Sequence, residues 1–247
     1  MELFNKEQIY IVTGASSGLG QGIATSLCNE GATVVGIGRN EHRLIETKNL
    51  CKKSENFFYE VKDLVEDIEN LPQYVTNLKN KYGKFQGLVC CAGITAIEPF
   101  MMMQYKTMQD IFNINYFAPL MLMKGVLDKR NILKENVTIL AIASIVTYLL
   151  EKGMSQYVAS KSALTNACRT IAKEYANRGI RINTISPADV ETPMTKNLDD
   201  IRENRSDIYP LGQPTINDIS EMALYLLSDK SKHITGTDFV VNGGLVV

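Results

Sequence analysis

Ser144, Tyr157 and Lys161 are the residues in this sequence whose types and spacing could do chemistry. Tyr157 and Lys161 stand at i and i+4, which in a helix sets both side chains on one face, one turn apart. A free phenol has a pKa of about 10 and is a poor proton donor at neutral pH; a neighbouring ammonium that favours its ionised form improves it. Ser144, thirteen residues before the tyrosine, could bring a hydroxyl onto the same substrate carbonyl. Tyr-x-x-x-Lys also arises in ordinary amphipathic helices, so the residues around it decide the reading.

The elements that must position these groups follow from hydrophobic periodicity. Short β-branched runs at 9–13, 33–37, 57–61, 87–91, 137–143, 181–185 and 238–241 alternate with helical patterns near 18–30, 41–52, 72–82, 107–127, 154–177 and 216–227. Pro72 suits a first helical turn, where its missing N–H costs little. Strand and helix in alternation predict a parallel sheet covered on both faces. Right-handed crossovers make that sheet doubly wound, with ligands at the carboxyl ends of its strands. The expectation is an α/β fold: one doubly wound domain over residues 1–247, a seven-stranded parallel sheet with helices on both faces. Met101, Met102 and Met103 read as plastic filler near a pocket or core, not as a metal site.

Bulk properties exclude several classes of function. The chain has 247 residues, 45% hydrophobic and 21% charged, which suits one large domain with a generous core. Its net charge is −1, with 26 basic and 27 acidic residues spread along the chain, so neither a nucleic-acid nor a membrane footprint is expected. Five cysteines, two of them adjacent at Cys90 and Cys91, fit neither a disulfide framework nor a zinc site and predict reduced thiols in a cytoplasmic protein. Residues 1–8 carry Glu2 and Glu7 and lead straight into an apolar strand, unlike a signal peptide.

The first strand runs into Thr13-Gly14-Ala15-Ser16-Ser17-Gly18-Leu19-Gly20, a glycine-rich turn that opens a helix. Glycines let backbone approach a pyrophosphate closely, and the helix N-terminus offers free N–H groups and a favourable dipole. The spacing is G-x-x-x-G-x-G; a tight turn without a ligand is the bland alternative.

With these motifs in order, the chain resembles the short-chain dehydrogenase/reductase family from near one end to the other. The resemblance implies a Rossmann-type domain and a catalytic tetrad of Asn115, Ser144, Tyr157 and Lys161. It assigns cofactor contacts to Gly14, Ser16, Ser17, Gly18, Leu19 and Gly20, to Ala92 and Gly93 after the fourth strand, and to Pro187, Ala188, Val190 and Thr192 after the sixth, besides Tyr157 and Lys161. In the reduction direction the nicotinamide would give hydride to the carbonyl carbon while Tyr157 protonates the oxygen and Ser144 holds it. Lys161 would depress the tyrosine pKa and bind the nicotinamide ribose, and Asn115 would position a proton-carrying water.

Cofactor choice falls at Gly38-Arg39, after the second strand. Family members that prefer NAD place an acidic residue there; here Gly38 occupies the position and Arg39 could pair with a 2′-phosphate, so NADP(H) is favoured and NAD(H) stays possible. Against this, Ser17 stands where many NADP-preferring relatives have a second basic residue, and Arg39 could be a plain solvated charge. Glu60-Val61 replaces the family's usual Asp-Val adenine contact, with Asp63 as another acceptor. Cys90-Cys91-Ala92-Gly93 replaces N-N-A-G, which removes a strand-tying side chain, and Pro187-Ala188 replaces P-G.

The substrate region should combine the strand tops at 94–98, 145–154 and 188–209: an apolar wall of Ile145, Val146, Tyr148, Leu149 and Met154, together with Ser144 and Tyr157, and a charged lid over residues 194–210. Arg202 and Arg205 in that lid are candidate anion contacts; a solvated lid helix is the alternative. A small ketone, keto-sugar or steroid-like compound is the leading substrate expectation. One alternative is 3-oxoacyl carrier-protein reduction, for which Arg178 fits a carrier footprint while Glu135 beside Lys134 does not. The other is a non-catalytic NADP(H)-sensing regulator. The family also implies a homodimer or homotetramer, for which Ile111, Phe112, Tyr116, Leu120, Leu164, Ala167 and Ile171 could supply an apolar seam; equally, they could all face the sheet.

Overall fold

A computed structural model describes residues 2–133, 136–192 and 208–245. Seven strands form one parallel sheet: β1 (Ile9–Thr13), β2 (Thr33–Gly38), β3 (Phe57–Val61), β4 (Phe85–Cys90), β5 (Thr138–Ile142), β6 (Arg181–Pro187) and β7 (Asp238–Val241). Their order is β3-β2-β1-β4-β5-β6-β7. The order reverses between β1 and β4, which opens a crevice at their carboxyl ends. Every residue of β1, β2, β4, β5 and β6 is buried, the near-continuous apolar reading of strands covered on both faces.

Successive side chains alternate between two cores. Ile9 and Ile11 of β1, with Ile139 and Ala141 of β5, pack beneath α3 (Leu71–Tyr82), α5 (Ala118–Val126) and α7 (Ser155–Tyr175). Tyr10, Val12, Leu140 and Ile142 face α1 (Gly18–Asn29), α2 (Glu41–Leu50) and α8 (Ile216–Leu227). Asn40 caps α2 through the Arg43 N–H at 3.0 Å, and Thr215 and Asp218 form a reciprocal capping box on α8. The buried Arg181 guanidinium donates to the carbonyls of Leu226 (2.8 Å) and Ser228 (3.0 Å), at the C-terminus of α8 where the dipole favours a cation.

Three expectations change. The helix expected over 107–127 is α4 (Tyr105–Phe112), a widened π turn (Asn113–Phe117) and α5. Pro119 lacks the N–H that a regular helix would use just there, so the ladder shifts and the Ala118 N–H reaches back to the Asn113 carbonyl. Met101 and Met102 are not core filler, being 91% and 71% exposed on a short 3-10 turn at Phe100–Met102, while Met103 is half-buried. Of the apolar seam, Ile111 is buried and Leu164 is buried in the core beneath the sheet, whereas Phe112, Tyr116, Leu120, Ala167 and Ile171 stay half-buried. All five cysteines are free thiols. No described helix is long and apolar enough to cross a membrane, and the described residues contain no cluster fit to hold a metal.

Candidate active site

The glycine turn wraps the carboxyl end of β1. Gly14 has φ +69°, open to glycine at little cost, and a Cβ on Gly20 would fall 2.3 Å from the Gly14 carbonyl oxygen. Ser17 precedes α1 and makes no side-chain bond to its first-turn amides, so those donors face the crevice. Thr13 supplies the tie that the missing asparagine put in doubt: its hydroxyl accepts from the N–H groups of Cys91 (3.0 Å) and Ala92 (3.1 Å). β1 and the loop after β4 are thereby held together beneath the turn.

The four residues of the expected tetrad come from three elements. Ser144 follows β5, and its neighbours are fixed to β6 by Ala143 N–H to Ile185 O (2.7 Å) and Ile145 N–H to Pro187 O (2.9 Å). Tyr157 and Lys161 lie on one buried face of α7. The Lys161 ammonium donates to the Ile142 carbonyl at 2.8 Å, at the end of β5, and lies 5.9 Å from the centre of the Tyr157 ring. Asn115 comes from the π turn; it is fully buried and clasps Ile94 with Nδ2–H to O and N–H to Oδ1, each 3.0 Å. A Cβ on Gly93 would stand 2.9 Å from Asn115 Oδ1 and 3.5 Å from Lys161 Nζ, so the absence of a side chain there lets amide and ammonium converge.

The electrostatics correct one expectation. Burial pushes the Tyr157 phenol up to about 12, and the hydrogen bond to Ser144 pulls only part of the way back. Burial also pulls the Lys161 ammonium down to about 8. In the protein alone, desolvation of the phenolate outweighs the depression expected from Lys161.

A cavity of about 480 Å³ runs from the glycine turn to Tyr157. Gly14, Ser16, Ser17, Gly18, Leu19, Gly20, Arg39, Ala92, Gly93, Ser144, Val146, Met154, Tyr157, Lys161, Pro187, Ala188, Val190 and Thr192 all line it. Ile145 is buried beside Val146, Met154 and Tyr157, behind the wall. Glu60 and Val61 are not part of the lining: the Glu60 carboxylate accepts from Lys81 (2.8 Å) and the Tyr82 hydroxyl (2.7 Å), and Val61 is half-exposed. β3 ends at Val61, level with Gly38, so the chain reaches the cavity only at Lys62, Asp63, Leu64 and Val65. Asp63 is the carboxylate at that end, 3.7 Å from Arg39, whose side chain is 73% exposed. Thr95, within the 94–98 segment expected to meet the substrate, lines the cavity with a buried hydroxyl that has no hydrogen-bond partner. Arg202 and Arg205 lie outside the described residues, as do Lys134 and Glu135.

Comparison with known proteins agrees with this arrangement. A family model described as enoyl-(acyl carrier protein) reductase matches residues 14–246. The chain is 30% identical over 251 residues to the 3-oxoacyl-[acyl-carrier-protein] reductase FabG of Thermotoga maritima, covering 97% of this chain and 98% of that protein. To FabG of Vibrio harveyi it is 32% identical, covering 96% and 97%. A solved short-chain dehydrogenase/reductase from Brucella melitensis, described as a glucose/ribitol dehydrogenase, superposes with a TM-score of 0.92 at 26% identity over 100% of both chains. Another, from Mycobacterium ulcerans, superposes at 0.87 and 25% identity over 98% of this chain and 91% of that one. Matched along nearly its whole length, with the tyrosine, lysine and serine lining one crevice and Asn115 fully buried behind it, the chain belongs to the short-chain dehydrogenase/reductase family of oxidoreductases.

Proposed function

We propose that the protein reduces a carbonyl to an alcohol with NADP(H), and that the carbonyl is the 3-oxo group of an acyl thioester. The convergence of Ser144, Tyr157 and Lys161 at one end of a cavity whose other end is the glycine turn carries the reading. The residues present fit a dinucleotide: α1 offers uncapped amides for a pyrophosphate, and side-chain-free backbone surrounds them. Bound there, the dinucleotide supplies the hydride. Tyr157 holds a proton at neutral pH and delivers it to the carbonyl oxygen, Ser144 orients that oxygen, and Lys161 keeps a positive charge beside them. The names of the curated relatives favour the thioester over the small-ketone reading. A carrier footprint is consistent with it: Arg178 reaches from the end of α7 to the Leu127 carbonyl at 3.5 Å, near the exposed Lys124 and Lys129. Arg130 there is tied to Asp128.

A sugar or polyol is the second reading, favoured by the glucose/ribitol dehydrogenase description of the Brucella melitensis structure. NADPH oxidation with a 3-oxoacyl thioester, set against keto-sugars and simple ketones, separates the two. A higher kcat/KM for the thioester supports the proposal, a higher value for a keto-sugar replaces it, and no turnover with any carbonyl leaves the regulator reading. The half-buried Phe112, Tyr116, Leu120, Ala167 and Ile171 suit a homodimer or homotetramer seam.

Preference for NADP(H) rests on Arg39. No carboxylate stands at Gly38 to meet a ribose hydroxyl, and the Arg39 guanidinium is exposed at the cavity rim, held loosely by Asp63 at 3.7 Å. A charge-assisted bond to a 2′-phosphate is worth about 1.5–3 kcal/mol, so Arg39→Ala should weaken NADPH about 10- to 100-fold and NADH by less than about threefold. Fluorescence titration of both nucleotides reads this; equal losses would remove Arg39 from cofactor selection.

A further inference from the structure

Ser160 stands in α7 between Tyr157 and Lys161, fully buried, with no place in the proton-transfer chemistry. Its hydroxyl donates to the Tyr157 carbonyl at 2.8 Å. With that proton committed, the oxygen is an acceptor, and it takes Asn115 Nδ2–H at 3.0 Å. The other Nδ2 hydrogen goes to the Ile94 carbonyl, and Oδ1 accepts the Ile94 N–H. Both donors of the amide are therefore used, and a flipped amide would set Oδ1 against two acceptors, the Ile94 carbonyl and Ser160 Oγ. Asn115 thus joins the π turn to the loop after β4 on one side and to α7, one residue from Lys161, on the other.

We propose that Ser160 is a positioning residue: it fixes the Asn115 amide, and through it holds the π turn in register with Lys161. Alanine is the better helix former, so Ser160→Ala should leave α7 intact and orphan one buried donor on Asn115. Only the kinetic arm of the test rests on the carbonyl-reductase reading.

In ¹⁵N-labelled protein without cofactor, Ser160→Ala should speed exchange of the Asn115 side-chain amide protons about tenfold while the remaining spectrum keeps its positions. In turnover, Ser160→Ala should lower kcat about tenfold with KM for the dinucleotide within about twofold, and should add nothing to Asn115→Ala. Unchanged amide exchange, a spectrum altered throughout, or kcat losses that multiply in the double variant would each overturn the proposal. If no carbonyl is turned over by the unaltered protein, the functional reading fails, and the exchange experiment still decides the role of Ser160.

Discussion

Tyr157→Phe should lower carbonyl turnover by about 10²- to 10⁴-fold, the usual contribution of a positioned general acid, while NADPH affinity changes by less than about twofold. The ring would stay packed among Ile145, Val146, Met154 and Ala188, so the fold and the dinucleotide end of the cavity are untouched; only the hydroxyl is lost. Burial raises that hydroxyl to about 12, so it is protonated at neutral pH, the state that reduction needs. The reverse oxidation needs the phenolate and should speed up as pH rises. Single-turnover rates beside nucleotide titrations test the assignment, and a variant with undiminished turnover would remove Tyr157 from the chemistry.

Lys161→Met should abolish activity yet make the folded protein more stable at neutral pH. Lys161 is almost wholly buried, bonded to the Ile142 carbonyl and drawn down to about 8, against about 10.4 for an unfolded lysine. Below about pH 8 both states carry the proton, and the folded one bears the whole burial penalty, about 3 kcal/mol. Between about pH 8 and 10.4 the unfolded chain binds more protons than the folded one, so stability recovers as pH rises. Methionine fills similar space without charge, and loss of the 2.8 Å bond takes back about 1 kcal/mol, leaving a net gain of about 2 kcal/mol at pH 7. Chemical denaturation at pH 7 and pH 10 should show that advantage shrinking; a variant less stable at pH 7 would refute the buried-charge account. On the proposed function the unfavourable burial would set a cation beside Tyr157, a trade of stability for function.

The crevice at the carboxyl ends of the strands was legible because its signals are local. A glycine turn between strand and helix, an i, i+4 tyrosine and lysine, and strands at near-regular spacing each depend on neighbouring residues, so periodicity and steric rules read them directly. Glu60 shows where that reading slips. Placing the adenine contact by analogy to a dipeptide put it at Glu60-Val61, but the register of β3 against β2 and the pull of Lys81 and Tyr82 turn Glu60 away and bring Asp63 to the cavity. The unbroken helix over 107–127 slips for a related reason: apolar spacing continues smoothly through Pro119, while the missing N–H widens the turn that carries Asn115.

The sequence by itself determined the parallel sheet, its glycine turn and the shared helix face of Tyr157 and Lys161, since propensity, alternation and helical spacing act within a few residues. Tertiary structure alone decided the chemistry's settings: Tyr157 raised and Lys161 lowered by burial, Asn115 locked between Ile94 and Ser160, and Arg39 resting beside Asp63. Desolvation and hydrogen-bond partnership depend on which distant segments close over a group, and no local pattern encodes that closure.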